Sequence, residues 1–309
     1  MNFIGHDLIR SQFKKAINNN TLSHAHLIIG VDGIGKSLLA KEFAINILGK
    51  NIYRDYIDIV NYKIDKSSFG VDEVRSIIDE VNKKPFEGDK KVIIINKGNK
   101  LTVQAQNTLL KTIEEPPKGV YIIILCENSE VILETIKSRC QIHKLTPLHL
   151  NEMKEFIELH FGDVDKEIKN TLISFSQGIP GKVKKFLKEE NFMQIREVII
   201  ELLRDINIRN ENLVIKYESI LLDKNKEIET VLETLMYFVR DIMVFKEVEN
   251  KELIINKDKI EKISELSNMM SYKKLKKVIE VIDKTRFNIK SNINTTITLD
   301  VMLIELLEG

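Results

Sequence analysis

The sequence predicts an α/β fold with a five-stranded parallel sheet in its first half, followed by a second half made of helices. Through residue 145, short apolar runs alternate with segments that carry apolar residues at helical spacing. Several of these runs are continuously apolar, as is typical of strands covered by helices on both faces. After Thr146 and Pro147 no further strand pattern occurs, and amphipathic segments broken by Gly and Pro follow.

The first half consists of strand and helix repeats. The strand candidates are residues 26–29, 56–60, 92–95, 120–125 and 141–144. Apolar side chains mark one face of the first two intervening helices, namely Leu38, Leu39, Phe43 and Leu48, then Val71, Val74, Ile77, Ile78 and Val81. Repeats of this kind favour a doubly wound sheet.

The second half carries the apolar stripes of a helical bundle. A short helical block ends near Phe186 and Leu187, after a Gly-Ile-Pro-Gly turn at residues 178–181. Longer stripes follow, for example Ile228, Val231, Leu232, Leu235, Val239 and Ile242, then Leu275, Val278, Ile279 and Ile282. The change of pattern predicts a domain boundary after residue 147, and the length of the chain allows two or three domains.

Composition and charge exclude several classes of protein. The 309 residues include 47 Lys and Arg against 46 Asp and Glu, and a net charge of +1 gives no strong autonomous attraction to nucleic acid. Two cysteines, Cys126 and Cys140, do not suffice for a disulfide framework or a four-thiolate zinc site, so we expect buried, reduced thiols and no zinc. Without a signal peptide or a long apolar stretch, we expect a cytoplasmic protein that does not span a membrane.

Residues 30–37 read Gly-Val-Asp-Gly-Ile-Gly-Lys-Ser and match the pattern GxxxxGK[ST] between a predicted strand and a predicted helix. The glycines let backbone N–H groups turn toward a phosphate, and the helix N-terminus adds a favourable dipole. Lys36 is expected to reach the β- and γ-phosphates, and Ser37 to place its hydroxyl on Mg²⁺. The loop therefore predicts a site for ATP or ADP with Mg²⁺. The residues assigned to it are Gly30, Gly33, Gly35, Lys36 and Ser37.

The strand candidate at 92–95 indicates weak hydrolysis, because Asn96 and Lys97 follow it. A hydrolytic P-loop protein carries a carboxylate at the end of such a strand, where it holds Mg²⁺ and orients water. Each missing carboxylate removes several kcal/mol of transition-state stabilisation, roughly 3 or more by the scale of preorganised electrostatic groups. We expect the chain to bind ATP and to hydrolyse it poorly or not at all.

Two further motifs carry a family resemblance. Residues 107–117 read Asn-Thr-Leu-Leu-Lys-Thr-Ile-Glu-Glu-Pro-Pro, and residues 138–140 read Ser-Arg-Cys at a helix end before the fifth strand. With Ser-His-Ala-His at 23–26, they resemble the AAA+ subunits of bacterial clamp loaders, in particular the delta-prime branch within the DNA polymerase III holoenzyme. The resemblance implies a AAA+ P-loop domain at 1–147, a helical lid domain at 148–207 and a C-terminal collar or oligomerisation domain at 208–309.

The resemblance also implies partners and a catalytic residue. The expected partners are gamma/tau-like motor subunits and a delta-like clamp-opening subunit in a hetero-pentamer, which loads the sliding clamp onto primer–template DNA. The chain would be a subunit of a DNA-directed DNA polymerase holoenzyme without a polymerase site of its own. By resemblance, Arg139 is an arginine finger that acts in trans on a neighbour's ATP. The alternative for an arginine at a helix end is a surface ion pair or a contact with the helix dipole.

Departures from the family pattern favour the delta-prime role. The four-cysteine zinc module of relatives is absent, and Gly181 stands where motor subunits carry an arginine. An active gamma/tau-like motor ATPase stays the alternative, and a small-molecule P-loop kinase is a third hypothesis that nothing between residues 100 and 150 supports. Glu114 and Glu115 are expected to pair with nearby lysines, and His24 and His26 to pack in a core or an interface.

Overall fold

The computed structural model describes residues 3–63, 68–188, 192–208, 212–221, 228–248, 251–291 and 293–308. Backbone contacts divide the chain into two compact units. Unit 1 comprises Met1–Phe161 and Gln177–Gly181, and unit 2 comprises Gly162–Ser176 and Lys182–Gly309. The finer division into three domains stays a prediction.

Unit 1 is built on the predicted five-stranded parallel sheet. The strands are β1 Ala25–Ile29, β2 Ile59–Tyr62, β3 Lys91–Ile95, β4 Val120–Cys126 and β5 Gln141–Lys144. Their order across the sheet is β2-β3-β4-β1-β5, and every neighbouring pair is parallel. Every residue of β1 and β3 is buried, which confirms that the central strands are covered on both faces.

Helices cover both faces of this sheet. The helices of unit 1 are α1 Asp7–Asn18, α2 Lys36–Ile47, α3 Val71–Asn82, α4 Val103–Glu114, α5 Glu134–Lys137 and α6 Leu150–Phe161. Leu27 of β1 packs into a core shared with α3, α4 and α5, whereas its neighbour Ile28 packs into a second core shared with α1 and α2. The alternation follows from the two-residue period of a strand, and it fixes the sheet between two apolar layers.

The second strand lies later in the chain than the sequence pattern indicates. The apolar run predicts residues 56–60, but β2 spans Ile59–Tyr62. The Ile59 N–H donates to the Tyr56 carbonyl at 3.1 Å, so a turn occupies the start of the predicted strand. The buried Asp58 carboxylate accepts the backbone N–H groups of Phe86 and Glu87 at 2.6 and 2.8 Å. Because of these contacts the strand begins later in the chain than predicted, and it pairs with β3 as far as Tyr62.

The described residues of unit 2 form helices joined by turns and loops, and they include no strand. Its helices are α7 Lys166–Ser176, α8 Pro180–Lys188 from Lys182 onward, α9 Phe192–Ile208, α10 Leu213–Leu221, α11 Ile228–Val248, α12 Ile260–Met269, α13 Tyr272–Lys290 and α14 Thr295–Glu308. Their predicted stripes form one core, in which Leu235 and Ile282 are fully buried. Within the searched part of the chain, no helix has the length and apolar character needed to cross a membrane.

Candidate functional site

The loop at residues 30–37 lies between β1 and α2, as the sequence predicts. The Gly30 N–H donates to the Cys126 carbonyl at 3.1 Å, which fixes the start of the loop on β4. Gly33 and Gly35 have φ angles of +77° and +111°, in the left-handed region that favours glycine. No side chain caps α2, whose N-cap is Gly35, so its first N–H groups have no side-chain acceptor. This arrangement of backbone donors fits a phosphate group.

Lys36 reaches back across the loop. Its Nζ donates to the Gly30 and Val31 carbonyls at 2.6 and 2.9 Å. Burial lowers the pKa of Lys36, while the nearby Asp32 and Glu127 carboxylates act in the opposite direction. The ammonium is thus positioned inside the loop, and phosphate oxygens can replace the two carbonyls as its acceptors.

Gly181 packs directly against the loop. Its N–H donates to the Gly33 carbonyl at 2.9 Å, and a Cβ at this position would lie 2.4 Å from the Gly33 Cα. Every residue except glycine therefore collides with the loop backbone.

Asn96 lies beside Ser37 at the carboxyl end of β3. The Ser37 hydroxyl donates to Asn96 Oδ1 at 3.3 Å, and Asn96 Nδ2 donates to the Tyr62 carbonyl at 3.1 Å and to Asn61 Oδ1. The structure thus brings the Ser37 hydroxyl and the end of β3 together, as expected of a P-loop protein. The partner of that hydroxyl is an amide in place of a carboxylate.

A cavity of about 200 Å³ opens beside these side chains. Three lysines, Lys36, Lys63 and Lys97, line it together with the carboxylates Asp32 and Glu127. The sequence pattern missed Lys63 and Asn61 because it ended the second strand at residue 60. Lys97 was recognised only as the residue that replaces a carboxylate.

The cysteines and histidines do not gather into a metal site. Among the described residues, no group of three His, Cys, Asp or Glu side chains is arranged to hold a metal ion. Cys126 is buried and Cys140 is half-buried, and burial raises the pKa of these free thiols to about 11 and about 12. Both are therefore protonated at neutral pH, which makes them poor ligands.

His26 is a core residue, as predicted. It is fully buried on β1, and its Nδ1 lies 3.2 Å from Nε2 of His143 on β5. Burial lowers the pKa of His26 to about 3 and that of His143 to about 4, so both rings are neutral at physiological pH. Nε2 of His24 lies 2.6 Å from the Ile113 carbonyl, which ties the start of β1 to α4.

Arg139 lies between α5 and β5, where its own chain holds the guanidinium. Arg139 Nε forms an ion pair with Glu114 Oε1 at 2.6 Å. Nη1 donates to the Thr135 carbonyl at 3.0 Å and to Ser138 Oγ at 3.2 Å. The expectation that Glu114 pairs with lysine was wrong, because the end of α4 lies next to Arg139. About 40% of the Arg139 side chain is exposed.

The loop and Arg139 lie at opposite ends of the sheet. Strands β1 and β5 are parallel neighbours, paired from His26 with Gln141 to Ile29 with Lys144. The loop follows the carboxyl end of β1, whereas Arg139 precedes the amino end of β5. Four paired residues at about 3.3 Å each separate the two levels by roughly 13 Å or more.

Comparisons with known proteins agree with this architecture. Residues 5–149 match the family described as DNA polymerase III, delta subunit, and residues 182–308 match DNA polymerase III, delta subunit, C terminal. DNA polymerase III subunit delta' of Bacillus subtilis is 24% identical, over 95% of this chain and 94% of the relative. DNA polymerase III subunit tau of Bacillus subtilis is 25% identical over 98% of this chain, which spans only 60% of that relative's length.

A solved structure supports the fold. The DNA polymerase III gamma subunit-related protein of Thermotoga maritima superposes with a TM-score of 0.54 at 19% identity, covering 96% of this chain and 98% of that protein. Since the two family matches together account for most of the sequence, the chain belongs to the DNA polymerase III delta-subunit family.

Proposed function

We propose that the chain is a delta-prime-type clamp-loader subunit, which helps to load the sliding clamp onto primer–template DNA during cytoplasmic DNA replication. Its partners are gamma/tau-type motor subunits and a delta-type clamp-opening subunit in a hetero-pentamer. The loop at 30–37 binds ATP or ADP, with Ser37 available to an accompanying Mg²⁺ ion. The match to a delta' subunit along nearly its whole length supports this role.

The observation that carries the proposal is the separation of Arg139 from its own nucleotide loop. Because β1 and β5 run parallel, Arg139 at the amino end cannot serve a phosphate held at the carboxyl end. A guanidinium in this place is useful to a nucleotide on a neighbouring chain, where it stabilises charge that develops on the γ-phosphate. This supports the role of Arg139 as an arginine finger in trans.

The contact between Ser37 and Asn96 supports the proposal that the chain's own site hydrolyses ATP weakly. A neutral amide accepts the Ser37 hydroxyl at the position where hydrolytic P-loop proteins carry a carboxylate. Lys97, the next residue, lines the same cavity and adds positive charge. Neither residue activates water as a general base at neutral pH.

An exposed apolar stripe on α14 supports assembly through unit 2. The buried face of α14 includes Leu299 and Leu303, and its other face exposes 59% of Ile297, 38% of Val301 and 44% of Ile304. Apolar side chains on both faces of one helix indicate that a partner covers the second face. We assign this stripe to the collar of the pentamer.

The test is reconstitution with a gamma/tau-type subunit, a delta-type subunit and the sliding clamp. We expect Arg139→Ala to lower the ATPase rate and clamp loading of the complex, while Lys36→Ala abolishes nucleotide binding by this chain alone. Arg75→Ala is a matched control, because Arg75 is an exposed helical arginine paired with Asp72. Unchanged complex ATPase with Arg139→Ala would show that Arg139 is not a finger.

A gamma/tau-like motor ATPase is the second candidate. The tau relative is as similar in sequence as the delta' relative, at 25% against 24% identity. The isolated chain separates the two functions. Robust ATP turnover that Lys36→Ala removes would favour the motor, whereas turnover near background supports the delta-prime role.

A further inference from the structure

The end of β3 beside Ser37 has a donor set that suits Mg²⁺ poorly. Mg²⁺ in nucleotide sites is held by one or two carboxylates, hydroxyls, waters and substrate phosphates. Here Ser37 donates its hydroxyl hydrogen to Asn96, and the nearest polar neighbours of Asn96 are the Asn61 amide and the Tyr62 carbonyl. The end of β3 therefore offers neutral oxygens where a divalent cation needs negative charge.

Two ammonium groups enter the same cavity from adjacent strands. Lys63 follows β2 and Lys97 follows β3, and these strands are parallel neighbours whose carboxyl ends coincide. Across the described ranges, neither lysine forms an ion pair with a carboxylate. Asp32 and Glu127, the two carboxylates that line the cavity, both act electrostatically on Lys36. Among the lining residues that the structure describes, three lysines face two carboxylates, which gives this part of the cavity a surplus of positive charge.

The backbone fixes the position of Lys97. Its φ angle is +53°, a left-handed conformation that residues other than glycine rarely adopt. The turn is closed by the Lys100 N–H, which donates to the Lys97 carbonyl at 2.8 Å. The following Gly98 is packed so tightly that a Cβ would lie 2.6 Å from Ile124. The close packing of Gly98 thus stabilises this turn, and the turn places the backbone of Lys97 beside the cavity.

We propose that Lys63 and Lys97 neutralise the β- and γ-phosphates of a bound nucleoside di- or triphosphate, in the role that Mg²⁺ has at a hydrolytic P-loop. Two ammonium groups supply the charge of one divalent cation, and each is a compact donor suited to a phosphate oxygen. The same ammoniums weaken the attraction of the Ser37 site for a metal ion, so an accompanying Mg²⁺ adds little to the affinity. Nucleotide affinity is then nearly independent of Mg²⁺. The inference deepens the proposed function, because it rests on nucleotide binding at the same loop.

Binding of ADP and ATP to the full-length chain tests this inference without any partner subunit. Affinity is measured by calorimetric titration in excess MgCl₂ and again in excess EDTA. We expect the two dissociation constants to differ by less than about threefold. A loss of affinity above about tenfold in EDTA would overturn the inference, because the metal would then carry the charge compensation.

Two variants locate the effect in the lysines. The double variant Lys63→Ala with Lys97→Ala should weaken binding in EDTA by roughly 10- to 100-fold, as expected from the loss of two charge-assisted contacts, and should lose less in MgCl₂. Lys118→Ala is the matched control, because Lys118 is an exposed lysine of unit 1 outside the cavity. Asn96→Asp combined with Lys97→Glu should make affinity depend on Mg²⁺. Wild-type affinity in the double lysine variant would overturn the inference.

The outcomes distinguish the inference from the proposed function. Mg²⁺-dependent binding that Lys36→Ala removes would leave the nucleotide site intact and contradict only the role of Lys63 and Lys97. No binding of either nucleotide in either condition would overturn both. Circular dichroism of each variant, compared with the wild-type chain, excludes misfolding as the cause of a lost signal.

Discussion

The basic side chains at the two ends of the sheet in unit 1 differ in whether carboxylates of the same chain neutralise them. At the carboxyl end, Lys36, Lys63 and Lys97 face an open cavity whose described lining has fewer carboxylates than lysines. At the amino end, Arg139 is already paired with Glu114, and its Nη1 is bonded to its own helix end. Spare charge in a cavity suits the capture of a phosphate. A half-exposed guanidinium that is oriented by its own chain suits presentation to another molecule.

The largest effect that this comparison predicts is on the partner's chemistry. Arginine fingers contribute about 10³- to 10⁵-fold to phosphoryl transfer in the best-studied cases, so Arg139→Ala should lower ATP turnover at the one neighbouring site that Arg139 completes by at least about 100-fold. The affinity of this chain for its own nucleotide should not change. A parallel titration checks this, and a loss of affinity would contradict the separation of the two ends.

The second largest effect concerns the middle of the sheet, where His26 and His143 join β1 and β5. Both pKa values are lowered by burial, to about 3 and about 4, whereas the unfolded chain titrates near 6.5. The unfolded state therefore binds more protons below pH 6.5, and stability falls as the pH decreases from there toward 4. At pH 5 the loss relative to neutral pH is about 2 kcal/mol per histidine.

Urea unfolding at pH 5 and at pH 7.5 measures this loss. His143→Gln should reduce the pH-dependent part of the free energy of unfolding by about half, since one of two linked groups is gone. His149→Gln is the control, because His149 is exposed. Equal pH dependence in the wild type and His143→Gln would contradict the assignment.

A smaller effect is expected at Glu114, which orients Arg139. Glu114→Ala removes the ion pair at Nε, and the side chain gains rotational freedom that must be lost again in the complex. Because both partners are about 40% exposed, we expect only a roughly threefold to tenfold fall in complex ATPase. Glu115→Ala, the adjacent exposed glutamate, should have no effect.

A double variant separates orientation from general damage. If Glu114 acts through Arg139, Glu114→Ala should cause no further loss in an Arg139→Ala background. Additive losses would show that Glu114 acts independently of the guanidinium. A rise in ATPase with Glu114→Ala alone would mean that the ion pair restrains the finger instead of aiming it.

An effect of similar size is expected at the carboxyl end, where Gly181 touches Gly33. Gly181→Ala places a Cβ 2.4 Å from the Gly33 Cα, so the loop must shift, and we expect nucleotide affinity to fall by roughly threefold to tenfold. Gly88→Ala is the control, since a Cβ there has no atom within 4 Å. Wild-type affinity in Gly181→Ala would show that the loop adjusts freely.

Local signals in the sequence predicted most of this molecule. The loop at 30–37, the buried strands and Asn96 are each defined by residues that lie close to them in the chain, so the sequence pattern alone identifies them. The second strand was misplaced because it is a half-buried edge strand whose start depends on a turn at Tyr56. Glu114 with Arg139, and Gly181 with Gly33, are contacts between distant segments, which no periodicity encodes.

The loop at 30–37 and Arg139 lie at opposite ends of the sheet, so the two interfaces that they would form with neighbouring subunits are different surfaces of the chain. A subunit that binds nucleotide at one end and presents an arginine at the other can be joined to its neighbours only head to tail. On the proposed function, an open arc of such subunits always has one more subunit than completed interfaces. The chain at one end then keeps a nucleotide that no arginine reaches, and the chain at the other end presents an arginine that no nucleotide meets. A subunit that hydrolyses its own nucleotide slowly loses no activity at the end of the arc where no arginine reaches that nucleotide.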